Sequence, residues 1–216
     1  MRSPREDTDN IVVAVTLKSL APGMLLNPGE GKLLDWLFDS RIKCKSGIGR
    51  RSHDVASERL LKDGQGKIYL PSRYVLASLV NAGRQVQHTG NAMLSTERDS
   101  LVPGIFDLLD SELVLTDHDG SEAKWAPTKF PCWVESRERR DDLVVRPRVK
   151  RWQMTVRVRL STREIAESKA RQLFDLAGRF SGLGDFRVGQ NRRSRFGRFV
   201  VSGWEHTQVP LALDAA

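Results

Sequence analysis

The chain has 216 residues, 39% of them hydrophobic and 29% charged, with a formal net charge of +8. That length supports one large or two small domains with a real core, in the composition range of soluble globular proteins. No run of about 18 apolar residues is present to form a transmembrane helix. The start MRSPREDTDN lacks the apolar stretch of a signal peptide, so a cytoplasmic protein without membrane association is expected.

In chain order, IVVAVTLKSL (11–20) is β-branched and apolar and reads as a strand. APGMLLNPGEGK is broken by proline and glycine and reads as a loop, and KLLDWLFDS as a short amphipathic helix. Residues 41–52, RIKCKSGIGRRS, hold no acid and form a basic, glycine-containing loop. HDVASERLLKDGQG reads as a helix starting near Ser52 or Asp54 and ending at Gly64. KIYLP is a short strand stopped by Pro71. Ser72 then caps RYVLASLVNAG, a helix with Val75, Leu76, Leu79 and Val80 inward and Gly83 as its stop.

SELVLTD reads as a strand and DHDGSEAKWAPT as a turn, while KFPCWVESRERRDDLVVRPRVKRW mixes rings with arginines as a long β-hairpin or an irregular arm. MTVRVRLS alternates Met154, Val156, Val158 and Leu160 against Thr155, Arg157, Arg159 and Ser161. This is a half-buried strand with a basic open face. A helix capped by Thr162 follows, placing Ile165, Ala166, Leu173, Phe174, Leu176, Ala177 and Phe180 on one side. It ends in SGLG. A glycine-hinged, arginine-rich loop comes next, and FGRFVVSGWE re-enters a strand.

The charge is lopsided. Residues 121–216 carry 20 Lys+Arg against 11 Asp+Glu, or +9, whereas the remainder carries 15 against 16, or −1. Such asymmetry suggests a polyanionic partner, and the preference for arginine suits bidentate phosphate contact and stacking on bases. Two distant cysteines, Cys44 and Cys132, and four scattered histidines show no ligand spacing, so no metal, no cofactor and no disulfide are expected.

GLGDFRVGQNRRSRFGRF (182–199) concentrates the chemistry. Glycine permits tight turning and close backbone approach. Arg187, Arg192, Arg193, Arg195 and Arg198 supply charge, and Phe186 and Phe196 supply rings, whereas alternation into the following strand assigns Phe199 to the core. Cations tracking phosphates and rings taking base faces are what single-stranded nucleic acid requires. This is not a nucleotide-binding P-loop, because GxxxxGK[ST] is absent and the glycines follow a helix. Lys43, Lys45, Arg50 and Arg51 flank Gly47 and Gly49 in an early loop whose amides could cradle phosphate. In the third basic stretch, acids offset Arg137, Arg139 and Arg140, but none intervenes among Arg146, Arg148, Lys150 and Arg151. Trp133 and Trp152 are assigned to the core.

Three motifs in this order carry a resemblance: a first strand followed by APGMLLNPGEG, then GQGKIYLPSRYVLASLVNAGR, then GLGDFR…FGRF. Together they resemble the RAMP superfamily of CRISPR systems, and more specifically the backbone subunit of class 1 effector complexes or a phage-borne relative. The resemblance implies a single α+β domain over 1–216 with a ferredoxin-like (RRM-like) antiparallel sheet. Helices would cover one face, with basic loops near 41–52, 135–151 and 182–198 on the other side. It also implies an RNA-binding, multi-copy subunit of an antiviral ribonucleoprotein that holds guide RNA and polymerises along it. Copies of itself, other effector subunits and a DNA or RNA target would be its partners, and pairing, not protein, would read the sequence.

No catalytic residue is assigned. His53, beside Arg50 and Arg51, is the one candidate for a RAMP-type endoribonuclease, since an imidazole could shuttle a proton while cations stabilise a phosphorane. Asp35 and Asp39 fall on the outer side of the short helix expected at KLLDWLFDS and need no catalytic explanation. Two further readings stay open: a phage single-strand DNA-binding or annealing protein, and a basic structural subunit with no nucleic acid.

Overall fold

The computed structural model describes residues 10–26, 52–133, 141–189 and 194–207. Its elements run β1 (Asn10–Ser19), β2 (Met24–Leu25), α1 (Ser52–Ser57), β3 (Tyr69–Pro71), α2 (Arg73–Ala82), α3 (Val102–Ile105), β4 (Phe106–Leu108), β5 (Glu112–Val114), β6 (Trp125–Trp133), β7 (Asp141–Val149), β8 (Gln153–Ser161), α4 (Glu167–Leu176) and β9 (Phe199–His206). A 3₁₀ turn (Gly83–Gln85) extends α2, and a π-helical turn (Ala177–Ser181) extends α4.

Period-two alternation builds the centre. Along β1 and β8, Val13 sits opposite Val158, Val15 opposite Val156 and Leu17 opposite Met154, all buried on one face. With β4 and β9 these strands form an antiparallel sheet in the order β4-β8-β1-β9. Helix α2 lies in sequence between β1 and β4, and α4 between β8 and β9. This βαββαβ succession, with that strand order, is the ferredoxin-like arrangement expected from the sequence.

Both helices cover the same face. Phe174 of α4 meets Phe106 of β4 edge-on at 6.1 Å and Trp204 of β9 at 5.8 Å, so one ring ties the helix to both edges of the sheet. Between β4 and β8 the chain inserts the hairpin β6–β7, which β2 joins to make a three-stranded sheet. A two-stranded sheet pairs β3 with β5.

Several boundaries differ from the sequence reading. Helix α1 ends at Ser57 and not at Gly64. Asp63 Oδ1 accepts the amides of Gln65 and Lys67, a turn that competes with helix. Gly83 does not terminate α2 in a left-handed cap, since its φ is −57°. A side chain there would strike Ser95 Oγ at 2.4 Å, so the glycine answers to packing. The last helix starts at Glu167 with Ala166 as N-cap, not at Thr162, because Ile165 is already buried in the turn before it.

Phe180, expected on the core side, is 51% exposed. The π-turn lengthens the helical repeat, so Ser181 falls under Ala177 instead. The segment expected as a basic loop near 135–151 is strand from Asp141 to Val149. The short helix expected at KLLDWLFDS lies outside the described residues.

The open face of the sheet is also less basic than its sequence. Asp110 binds Arg157 through Nε at 2.9 Å and Nη2 at 2.6 Å, and Arg159 reaches Asp107 at 3.4 Å. Hydrogen bonding to Asp110, and then its charge, raise the Arg157 pKa above its ordinary value. Thr16 and Thr155 share a hydroxyl hydrogen bond of 3.1 Å in the middle of this face.

Candidate nucleic-acid interface

The described arms of the basic loop do not lie on the open sheet face. They gather at the end of the sheet, just past Ser19, where four pieces of chain converge. Leu20 donates its amide to Arg198 O at 3.0 Å, Gly197 donates to Gly23 O at 2.8 Å, and Asp185 donates to Leu25 O at 2.8 Å. Thus the β1–β2 turn forms the bed of the loop, and β7, paired with β2, forms its flank.

Two glycines make that docking possible. Gly184 has φ +82°, and a Cβ there would lie 2.3 Å from Leu25 O. Gly197 has φ +76°, and a Cβ would lie 1.9 Å from Leu183 O. Side chains are excluded at both positions by conformation and by space.

Inside the loop, Ser194 is a staple. Its hydroxyl donates to the carbonyl of Phe186 and accepts the amide of Phe196 at 3.2 Å. Arg187 and Phe196 form a parallel bridge, and Val188 donates to Phe196 O at 3.2 Å. The two arms of the loop are therefore held side by side. Phe186 takes a left-handed φ of +48°, uncommon for a residue with a bulky side chain, and Asp185 Oδ1 accepts its amide at 3.0 Å.

The arginines of β7 point into this assembly. Arg146 Nε binds Asp185 Oδ2 at 2.7 Å, with side-chain exposures of only 14% and 11%. Arg148 Nε donates to Pro22 O at 2.9 Å, and its guanidinium lies 5.6 Å from the centroid of the Phe196 ring. Arg187 donates to Gly184 O at 3.4 Å. Arg198 is half-buried, and its Nε has no hydrogen-bond partner among the described residues. Arg195 and Lys150 are exposed and have no acidic partner among the described residues. Arg151, at the β7–β8 turn, is paired with Asp117 at 3.0 Å.

Of the residues singled out in the sequence, Arg146, Arg148, Phe186, Arg187, Arg195, Phe196 and Arg198 thus come together at one place, with Lys150 and Arg151 at its border. Lys43, Lys45, Arg50, Arg51, Arg192 and Arg193 lie outside the described residues. Phe199 and Trp152 are fully buried, as alternation and bulk implied. Asp185, Ser194 and Pro22 were missed. Each acts through a partner distant in sequence or through backbone, so only the Asp that follows Gly-Leu-Gly gave any signal.

A groove of about 270 Å³ opens beside the loop, between it and α2, with Leu70, Tyr74, Ala77, Leu183 and Arg187 among its walls. His53, on α1, stacks on Trp125 of the hairpin with ring centroids 4.6 Å apart. No cluster of three metal-ligating side chains occurs among the described residues. No helix among them is long and apolar enough to cross a membrane.

No protein-family model matches this sequence, and no curated protein matches it. Among solved structures, the chain is similar to one from a cryo-EM structure of the Type III-B Cmr-beta bound to cognate target RNA. The TM-score is 0.51 and the identity 11%, over 92% of this chain and 61% of that one, so the likeness is one of fold. This chain spans about three-fifths of the length of that neighbour.

Proposed function

We propose that this protein is an RNA-binding subunit of a CRISPR-type ribonucleoprotein effector, set in several copies along a guide RNA. The observation that carries the reading is the docked glycine loop. Arg187 and Arg195 stand beside Phe186 and Phe196 on a backbone fixed by Gly184, Gly197 and Ser194. Preorganised cations lose little entropy when they meet phosphates, and rings beside them accept bases without reading sequence. The excess charge of the segment 121–216 fits the same partner. A chain of similar fold in a Cmr-beta structure bound to target RNA supports the coarse assignment.

The open sheet face offers a poor alternative platform. RNA-binding sheets of the RRM type stack bases on aromatics of the central strands. Here β1 (NIVVAVTLKS) and β8 (QMTVRVRLS) contain no aromatic residue, and acids engage both arginines of β8. The loop and hairpin are therefore the RNA-facing edge in this reading. It assigns no chemical step to His53, whose ring lies on Trp125.

The test is a native gel with single-stranded RNA and DNA of 20, 40 and 60 nucleotides. A backbone subunit gives discrete ladders whose step number grows with RNA length, with DNA bound more weakly. Equal binding of both, with annealing of complementary DNA strands, would move the assignment to the DNA-annealing reading. RNA cleavage abolished by His53→Ala, with binding intact, would make the protein an endoribonuclease.

A further inference from the structure

Adjacent residues at the end of α4 are placed the wrong way round for a simple core. Ser181 is buried, and its Oγ has no hydrogen-bond partner among the described residues, while Phe180 beside it is 51% exposed. An α-helical continuation of the stripe Leu173, Phe174, Ala177 would bring residue 180 inward. The π-turn Ala177–Ser181 prevents this and turns the ring out. The turn is held in place, since a side chain at Gly178 would meet Phe199 O at 2.1 Å. Exposing a phenyl ring while burying an unpartnered hydroxyl is a local cost on both counts. Such inversions, and π-turns in particular, recur at functional sites.

The surroundings identify what the ring is for. The basic loop returns to this turn: Gly189 donates its amide to Ser181 O at 3.0 Å. A Cβ on Gly189 would lie 3.0 Å from Phe180 O, so the middle of the loop rests against the backbone that carries the ring. Arg179 on the turn is exposed, and Arg187 precedes Gly189 by two residues. No acid occurs in the chain between Asp185 and Glu205. An apolar protein partner would need the ring but not this concentration of cations.

We infer that Phe180 is a stacking platform for an unpaired nucleobase of single-stranded RNA, with Arg179 and Arg187 available to the adjoining phosphates. The inference rests on the RNA-binding reading and adds a residue to it. The platform is a third ring, besides Phe186 and Phe196. Stacking needs only a π-face, so the platform contributes affinity without base preference.

The test uses the full-length protein and a fluorescein-labelled 30-nucleotide single-stranded RNA of mixed sequence, titrated by anisotropy at several salt concentrations. Phe180→Ala is expected to weaken binding about ten-fold, with an unchanged slope of log K against log salt, because a neutral ring is lost. Phe180→Tyr restores the affinity. Phe180→Trp places an indole at the site, and its emission is quenched on RNA addition. Equal affinity of Phe180→Ala and wild type would overturn the platform and leave the RNA-binding reading standing. Wild-type protein that fails to bind the RNA would overturn both. Thermal melts of the variants separate loss of stacking from loss of fold, and a half-exposed ring is expected to leave the melt unchanged.

Discussion

Arg146 on the hairpin and Asp185 on the glycine loop form a largely buried ion pair, Nε to Oδ2, at 2.7 Å. The same carboxylate accepts the amide of Phe186, where the backbone is left-handed. One acid thus fastens the hairpin to the loop and supports the loop's least favourable conformation. Arg146 is accordingly an anchor of the candidate interface, not its most available cation.

Removing one member of such a pair leaves a half-desolvated charge behind. Asp185→Ala is expected to cost about 3 kcal/mol in urea unfolding. Replacing both partners, Arg146→Met with Asp185→Ala, should cost less than Asp185→Ala alone. A loss in the double variant equal to the sum of the two single losses would show that the two side chains do not stabilise each other.

Glycine substitutions should separate cleanly. Gly197→Ala places a Cβ on Leu183 O at a φ of +76°, so it is expected to lower the melting temperature and abolish RNA binding together. Gly64→Ala meets no atom within 4 Å and should be neutral within about 0.5 kcal/mol. A Gly197→Ala protein with native melting and native RNA affinity would contradict the docked loop.

Phe174 is the core contact that joins α4 to both β4 and β9. Phe174→Ala is expected to cost about 3–5 kcal/mol, measured as a shift of the denaturation midpoint at constant m-value. A loss under about 1 kcal/mol would mean that the ring is not the tie described.

The open face provides the control surface. Arg157→Ala and Arg159→Ala remove arginines already engaged by Asp110 and Asp107, both exposed enough for water to screen them. Stability should change by no more than about 1 kcal/mol, and the salt dependence of RNA binding should not change. A reduced salt slope in either variant would move the RNA path onto the sheet.

Alternation and glycine placement made much of this legible in advance. The MTVRVRLS pattern located β8 and its buried face, and the run into VV located Phe199 in the core. The ferredoxin-like order came from the resemblance that the three motifs carry, and not from strand and helix periodicity alone. Partners far along the chain were not legible. Nothing near Arg146 announces Asp185, 39 residues later, and nothing near Arg148 announces Pro22 or the Phe196 ring. A run of arginines reads as a cationic surface, yet tertiary contacts engage Arg146, Arg148 and Arg151 and leave Arg195 and Lys150 exposed. Phe180 was misplaced because one extra residue in a π-turn changes the helical period locally, which no propensity records.

The most direct test of the central claim is the salt dependence of single-stranded RNA binding in wild type and in Arg192→Ala/Arg193→Ala/Arg195→Ala. If the loop lies along the phosphates, log K falls linearly with log salt in the wild type. The triple variant's slope is then shallower by about two, the counterion release of three lost contacts on a single strand. A triple variant with the wild-type slope would contradict the account, because the loop would then not touch the RNA backbone.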